Sequence, residues 1–169
     1  MKQNIERDFL KHFLAAIAYR TQKAVRDAPR EYWDFSAGNK ARTPSEVLRH
    51  MTSVLGYART FMIGGQYPIH PDPLPNADEE INRFHGVLED MGRLLAEGTP
   101  LKEITERQLL QGPLSDVMTH AGQLALLRRL HGSPVPPENF IFADIAPERL
   151  GRNQSAPHRP DKDWPEKLD

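Results

Sequence analysis

Three side chains of the kinds that bind divalent metals are spaced so that two helices would bring them together. Asp116 and His120 stand four residues apart in Leu114-Ser115-Asp116-Val117-Met118-Thr119-His120. On a helix that spacing puts a carboxylate and an imidazole on one face, one turn apart. His50 sits in a second amphipathic run, among Val47, Met51 and Val54. Two imidazoles and a carboxylate form a donor set that suits a divalent ion and leaves positions open for water or substrate. Each member also has a plainer reading. A lone histidine on an apolar face is more often a neutral core residue, and an aspartate suits a helix start. His120, between Val117 and Leu124, has the weaker plain reading, because a buried imidazole needs a partner. Gln123, three residues on, could orient a ligand, although a polar boundary residue is the slightly commoner role. No catalytic residue can be named.

Four helical segments must position these groups, and no strand alternation appears. Ile5, Phe9, Leu10, Phe13, Leu14, Ile17 and Val25 recur at three- and four-residue steps and predict a first helix over about 5–27. The second starts with Thr43 as N-cap, Pro44 at the first helical position and Glu46 completing a capping box. It carries His50 and stops at Gly64-Gly65. Pro68, Pro71, Pro73 and Pro75 then mark an irregular connection. Asn76 and Glu79 open a third helix that Gly98 closes. The stretch 99–112 reads as a short turn or an extended link. The fourth helix is expected over about Pro113 to Leu130, with Arg128, Arg129 and His131 placed well for the helix dipole. The expected architecture is an all-α four-helix bundle with a long crossover-type connection and a Pro-rich C-terminal extension.

Composition narrows the function classes. The 169 residues suit one domain: 1–150 as the bundle and 151–169 as a loosely packed tail. Seven of the fifteen prolines follow Ser133; Phe140, Ile141, Phe142, Ile145 and Leu150 are candidates to tie the first part of this extension down. A net charge of −1 gives no electrostatic case for nucleic acid. The absence of cysteine excludes disulfides, thiolate metal sites and a cysteine nucleophile. Neither a signal core nor a long apolar run is present, so no membrane partner is expected and a cytoplasmic location is. His12, His70, His85, His131 and His158 lack partners at useful spacing. Arg128-Arg129 could attract an anion, though solvated arginines at a helix end are commoner. Trp33 and Trp164 could pack on the bundle or at a dimer surface.

Thr119-His120-Ala121-Gly122-Gln123-Leu124, with Leu127-Arg128-Arg129 and Gly132-Ser133-Pro134-Val135, resembles the signature region of the DinB-like superfamily. Ser45-Glu46-Val47-Leu48-Arg49-His50-Met51 resembles that family's histidine-bearing second helix, and Ala28-Pro29 with Tyr32 also fits. The resemblance covers roughly residues 9–135. It implies a four-helix bundle that holds a divalent metal through three histidines. His50 and His120 match two of them; the third position is Asp116, a departure that a carboxylate's affinity for hard cations makes tolerable.

The resemblance further implies a metal-dependent thiol transferase or hydrolase acting on a small molecule, with a low-molecular-weight thiol among the candidate substrates. The ion would be zinc, nickel, iron or manganese, and a homodimer is expected. Two rival readings remain open at the level of sequence. One is a non-catalytic, stress-related bundle serving as a binding or dimerisation module, with Asp116 and His120 as a buried hydrogen-bonded pair. The other is a metal-free binder of lipophilic ligands.

Overall fold

In the computed structural model, which describes residues 5–157, the chain is all-helical, with no strand among the described residues. The elements are α1 (Ile5–Val25), a 3-10 turn (Arg30–Asp34), α2 (Pro44–Ile63), α3 (Ala77–Ala96), short α4 (Glu106–Leu109) running through a wide turn (Leu110–Leu114) into α5 (Ser115–Leu130), and a last 3-10 turn (Phe140–Phe142). His158 and Trp164 of the tail lie outside the described residues.

The start of α2 follows from local chemistry. The Thr43 hydroxyl accepts from the Glu46 N–H, and the Glu46 carboxylate accepts from the Thr43 N–H. Both orphan donors are thereby satisfied, and Pro44 has none to lose. Asn76 caps α3 through the Glu79 N–H. Gly98 and Gly132, at positive φ, end α3 and α5. There the Thr99 and Ser133 N–H groups reach back to the Leu94 and Arg128 carbonyls.

The fourth helical run begins earlier than Pro113. A capping box of Thr105 and Gln108 opens it, and Pro113 is accommodated inside the wide turn. In an ordinary turn a proline leaves a carbonyl unpaired and collides with the preceding turn. Here the Ser115 N–H reaches the Leu110 carbonyl, which also accepts the Ser115 hydroxyl at 2.7 Å. Asp116 therefore lies well inside a helical run, away from the N–H groups exposed at its start.

α1 packs on α3 and α5, and α2 packs on the same two helices, so α1/α2 and α3/α5 are the diagonal pairs. Two connections, rather than one, cross the bundle: 26–43 and 97–105. The proline-rich 64–76 segment joins neighbours. The core is filled by side chains such as Leu14, Ile17, Leu48, Met51, Phe84, Leu88, Met91 and Leu124, all fully buried. Tyr32 is also fully buried and donates its hydroxyl proton to the Leu124 carbonyl at 2.9 Å. Trp33 packs on the bundle itself.

Of the residues expected to tie the C-terminal segment down, Leu150 enters the core against Gly92, where a Cβ would leave no room for it. Ile145 is partly buried, and Phe140 packs edge-on against Tyr19 at 6.2 Å. Ile141 and Phe142 instead face solvent. Beyond Gly151, Gln154 is buried and Arg26 donates to its carbonyl at 2.8 Å, while Arg152 pairs with Asp78 at 2.7 Å.

His85, which has no partner at useful spacing along the chain, is buried. Its Nδ1 lies 2.7 Å from the Leu150 carbonyl, and the Gln22 side-chain amide is 3.1 Å from Nε2. A carbonyl can only accept, so Nδ1 carries the proton of the neutral ring. Burial holds the His85 pKa down to about 4, outweighing the hydrogen bond to Leu150. In the unfolded chain the ring takes its proton near its usual 6.5. Between those values only the unfolded state binds that proton, so stability falls as pH drops from about 6.5 to about 4.

Two outcomes are expected. The unfolding free energy from urea titrations should fall over that pH window, by an amount on the order of 2–3 kcal/mol attributable to His85, and His85→Gln should flatten the upper part of the slope. Leu150→Ala should cost roughly 2–4 kcal/mol by the same measurement.

Candidate metal centre

α2 and α5 are neighbours, and their packing brings the three predicted side chains together. His50 Nε2 lies 3.9 Å from one Asp116 oxygen, and His120 Nε2 lies 3.5 Å from the other. The imidazoles of His50 and His120 meet edge-on, ring centres 4.8 Å apart. One donor atom from each of the three residues falls within 4.8 Å of the others. This group could hold a metal ion. Ligands at about 2.0–2.2 Å from a zinc-like centre stand about 3.0–3.5 Å from one another. The Asp116–His120 separation already has that size, while the others need a modest approach.

Shelter is uneven across the group. The His120 side chain is 10 % exposed, His50 29 % and Asp116 48 %, so the carboxylate forms the wet side. The His120 Nδ1 stands 2.8 Å from the Gln123 Oε1. A proton on Nδ1 donated to that oxygen leaves the Nε2 lone pair facing Asp116 and His50, the tautomer that a metal ligand needs. Gln123, itself exposed, thus holds the ring of His120 through that contact. The His50 pKa is lowered, chiefly by burial, then by the positive charge of Arg42 and by His120, with Asp116 opposing. At neutral pH the His50 ring is therefore unprotonated and its lone pair available.

Sequence spacing missed two neighbours of the site. Arg42, ahead of α2, and His70, in the proline-rich connection, share a cavity of about 210 Å³ with His50 and Arg49. Arg49 is committed to the buried Glu80 at 3.0 Å, whereas Arg42 is exposed and has no ion pair among the described residues. The connection is held in place from α2: the Ser53 hydroxyl contacts the Pro68 and Ile69 carbonyls at 2.8 and 2.9 Å, and the Tyr67 ring lies directly over Gly56. No spacing rule links 42, 50 and 70; only the folded-back loop does.

The other candidates have different roles. Arg128 is buried and donates to the Ala24 and Arg26 carbonyls at 3.1 Å and to the Ser133 carbonyl at 2.6 Å. It closes the C-terminal end of α1 and is not an anion attractor. His12 is exposed, and His131 sits at the end of α5 against Tyr32 and Phe35.

Comparison with protein-family models, with curated proteins and with solved structures finds no match. The site therefore rests on its own geometry. Gln123→Leu should weaken zinc binding by about 10–100-fold while leaving thermal stability nearly unchanged. Competition against a chromogenic chelator measures the first and circular dichroism the second.

Proposed function

We propose that this chain is a metal-dependent enzyme of the DinB-like kind, a thiol transferase or hydrolase acting on a small molecule, in which His50, Asp116 and His120 hold a divalent ion. The observation that carries this reading is the convergence of three donor atoms from two facing helices, with one imidazole already oriented by Gln123. The donor chemistry fits zinc, nickel, iron or manganese: two neutral imidazole nitrogens and one carboxylate oxygen. A divalent ion bound there supplies Lewis acidity, which lowers the pKa of a thiol or water.

The chain's own residues supply the remainder. Gln123 fixes the His120 ring, so that Nε2 offers its lone pair. Asp116, half in solvent, provides the negative charge and marks the open side of the group. Arg42, Glu46 and His70 line the adjoining cavity, where Arg42 places a positive charge near His50. The non-catalytic alternative needs Asp116 and His120 as a hydrogen-bonded pair. Their 3.5 Å separation is too long for a strong charge-assisted bond and suits donors arranged around a gap.

A homodimer belongs to the same proposal. Phe9 on α1 and Leu126 and Leu130 on α5 are exposed apolar side chains available for a partner copy. A monomeric mass in solution would remove that element. Among the described residues no helix is long and apolar enough to cross a membrane.

Elemental analysis after purification without chelator, and again after reconstitution, tests the central claim. About one equivalent of divalent ion per chain is expected, and His120→Ala should lose it while keeping its helical spectrum. Absence of stoichiometric metal from the parent protein under both conditions would sink the proposal.

A further inference from the structure

A second cavity, with a volume of about 370 Å³, lies between α1, α5 and the returning segment 134–140. It shares no lining residue with the cavity beside His50. Its floor is cut into α5 by small residues, Ala121, Gly122 and Ala125, and Val135 adds to the apolar wall. That volume is within the range of small-molecule sites.

The charge around this cleft is unbalanced. Arg20, Lys23 and Arg129 line it against a single carboxylate, Glu138. Glu138 is already committed: its side chain is 1 % exposed, accepts the Tyr19 hydroxyl proton at 2.5 Å and pairs with Lys23 at 2.8 Å. Two guanidinium groups are left. Arg20 stacks on the Phe140 face, 3.8 Å from the ring centre, and its one hydrogen-bond contact among the described residues is the Met118 sulfur at 4.0 Å. A guanidinium held by its face keeps its N–H edge available for a planar anion. Arg129 is exposed at the rim with no ion pair among the described residues. Burial lowers the Arg20 pKa, with the charge of Glu138 opposing.

We propose that this cleft binds an amphipathic monoanion, with its apolar chain along Ala121, Ala125 and Val135 and its carboxylate against Arg20 and Arg129. Its lining includes none of His50, Asp116 and His120. The small residues make room for the chain, the stacked guanidinium fixes the head group, and the Glu138–Lys23–Tyr19 cluster pins the returning segment as the wall.

Calorimetric titration of the full chain with decanoate, below its micelle concentration, tests the proposal. Decanol and decyltrimethylammonium serve as neutral and cationic counterparts. Saturable one-to-one binding of decanoate is expected, with decanol weaker by about ten-fold, the scale of one charge-assisted contact. Arg20→Met should weaken decanoate by a similar factor and leave decanol unchanged. Gly122→Leu should abolish binding of both. A Cβ at Gly122 meets no atom within 4 Å, and leaving glycine favours the helix, so this variant should fold at least as well as the parent. Thermal unfolding checks both variants. The proposal is overturned by non-saturable decanoate binding, by equal affinity for the three chains, or by decanoate binding that Gly122→Leu leaves intact.

Discussion

The rest of the molecule depends on how α5 is held. Near its C-terminal end, buried Arg128 spans the last carbonyls of α1 and the Ser133 carbonyl, and Tyr32 adds a buried bond to the Leu124 carbonyl. A buried guanidinium is tolerable only when its N–H groups are satisfied, so these contacts admit little sliding or rotation of α5 against α1. At the other end the wide turn at Leu110–Leu114 sets the angular position from which α5 proceeds. A helix fixed at both ends has its side-chain directions fixed between them. His120 consequently faces α2, and the small residues at 121, 122 and 125 face the cleft beside α1.

The same arrangement explains why the candidate centre is polarised. The two imidazoles lie at the α2–α5 seam and are sheltered by it, while Asp116 sits one turn nearer the wide turn and meets solvent. Neutral imidazoles tolerate shelter; a carboxylate without a close cation does not. The donor set thus divides along the line that desolvation draws. His50 adds a detail of its own, because burial and the neighbouring Arg42 both favour its unprotonated form.

What the sequence makes legible follows from the range of the forces involved. The starts of α2 and α3 can be read from four-residue windows, because capping is settled within one turn. The Asp116–His120 relation is likewise local, and the apolar run around His50 points it inward. The sequence puts the start of the fourth helix at Pro113, which suits a first helical position, within two residues of where α5 begins at Ser115. Only the Ser115 bonds to Leu110 reveal that the helical run passes through Pro113. His85, Arg128 and the Arg42–His70 neighbourhood depend on contacts between residues distant in the chain, and composition carries no trace of them. The tail shows both cases: Leu150 reaches the core as its apolar character suggests, whereas Ile141 of the same segment does not.

The proline-rich connection after α2 is stitched to that helix by Ser53 and by the seat that Gly56 provides for Tyr67. Both walls of the cavity at His50 consequently derive from one continuous piece of chain, and within it the last turn of α2 is held by the Lys102 N–H on the Phe61 carbonyl at 2.7 Å. A visitor to that cavity meets a rim that is already built. Encounter there is governed by diffusion and charge rather than by the opening of a flap, and little ordering entropy remains to be lost on arrival.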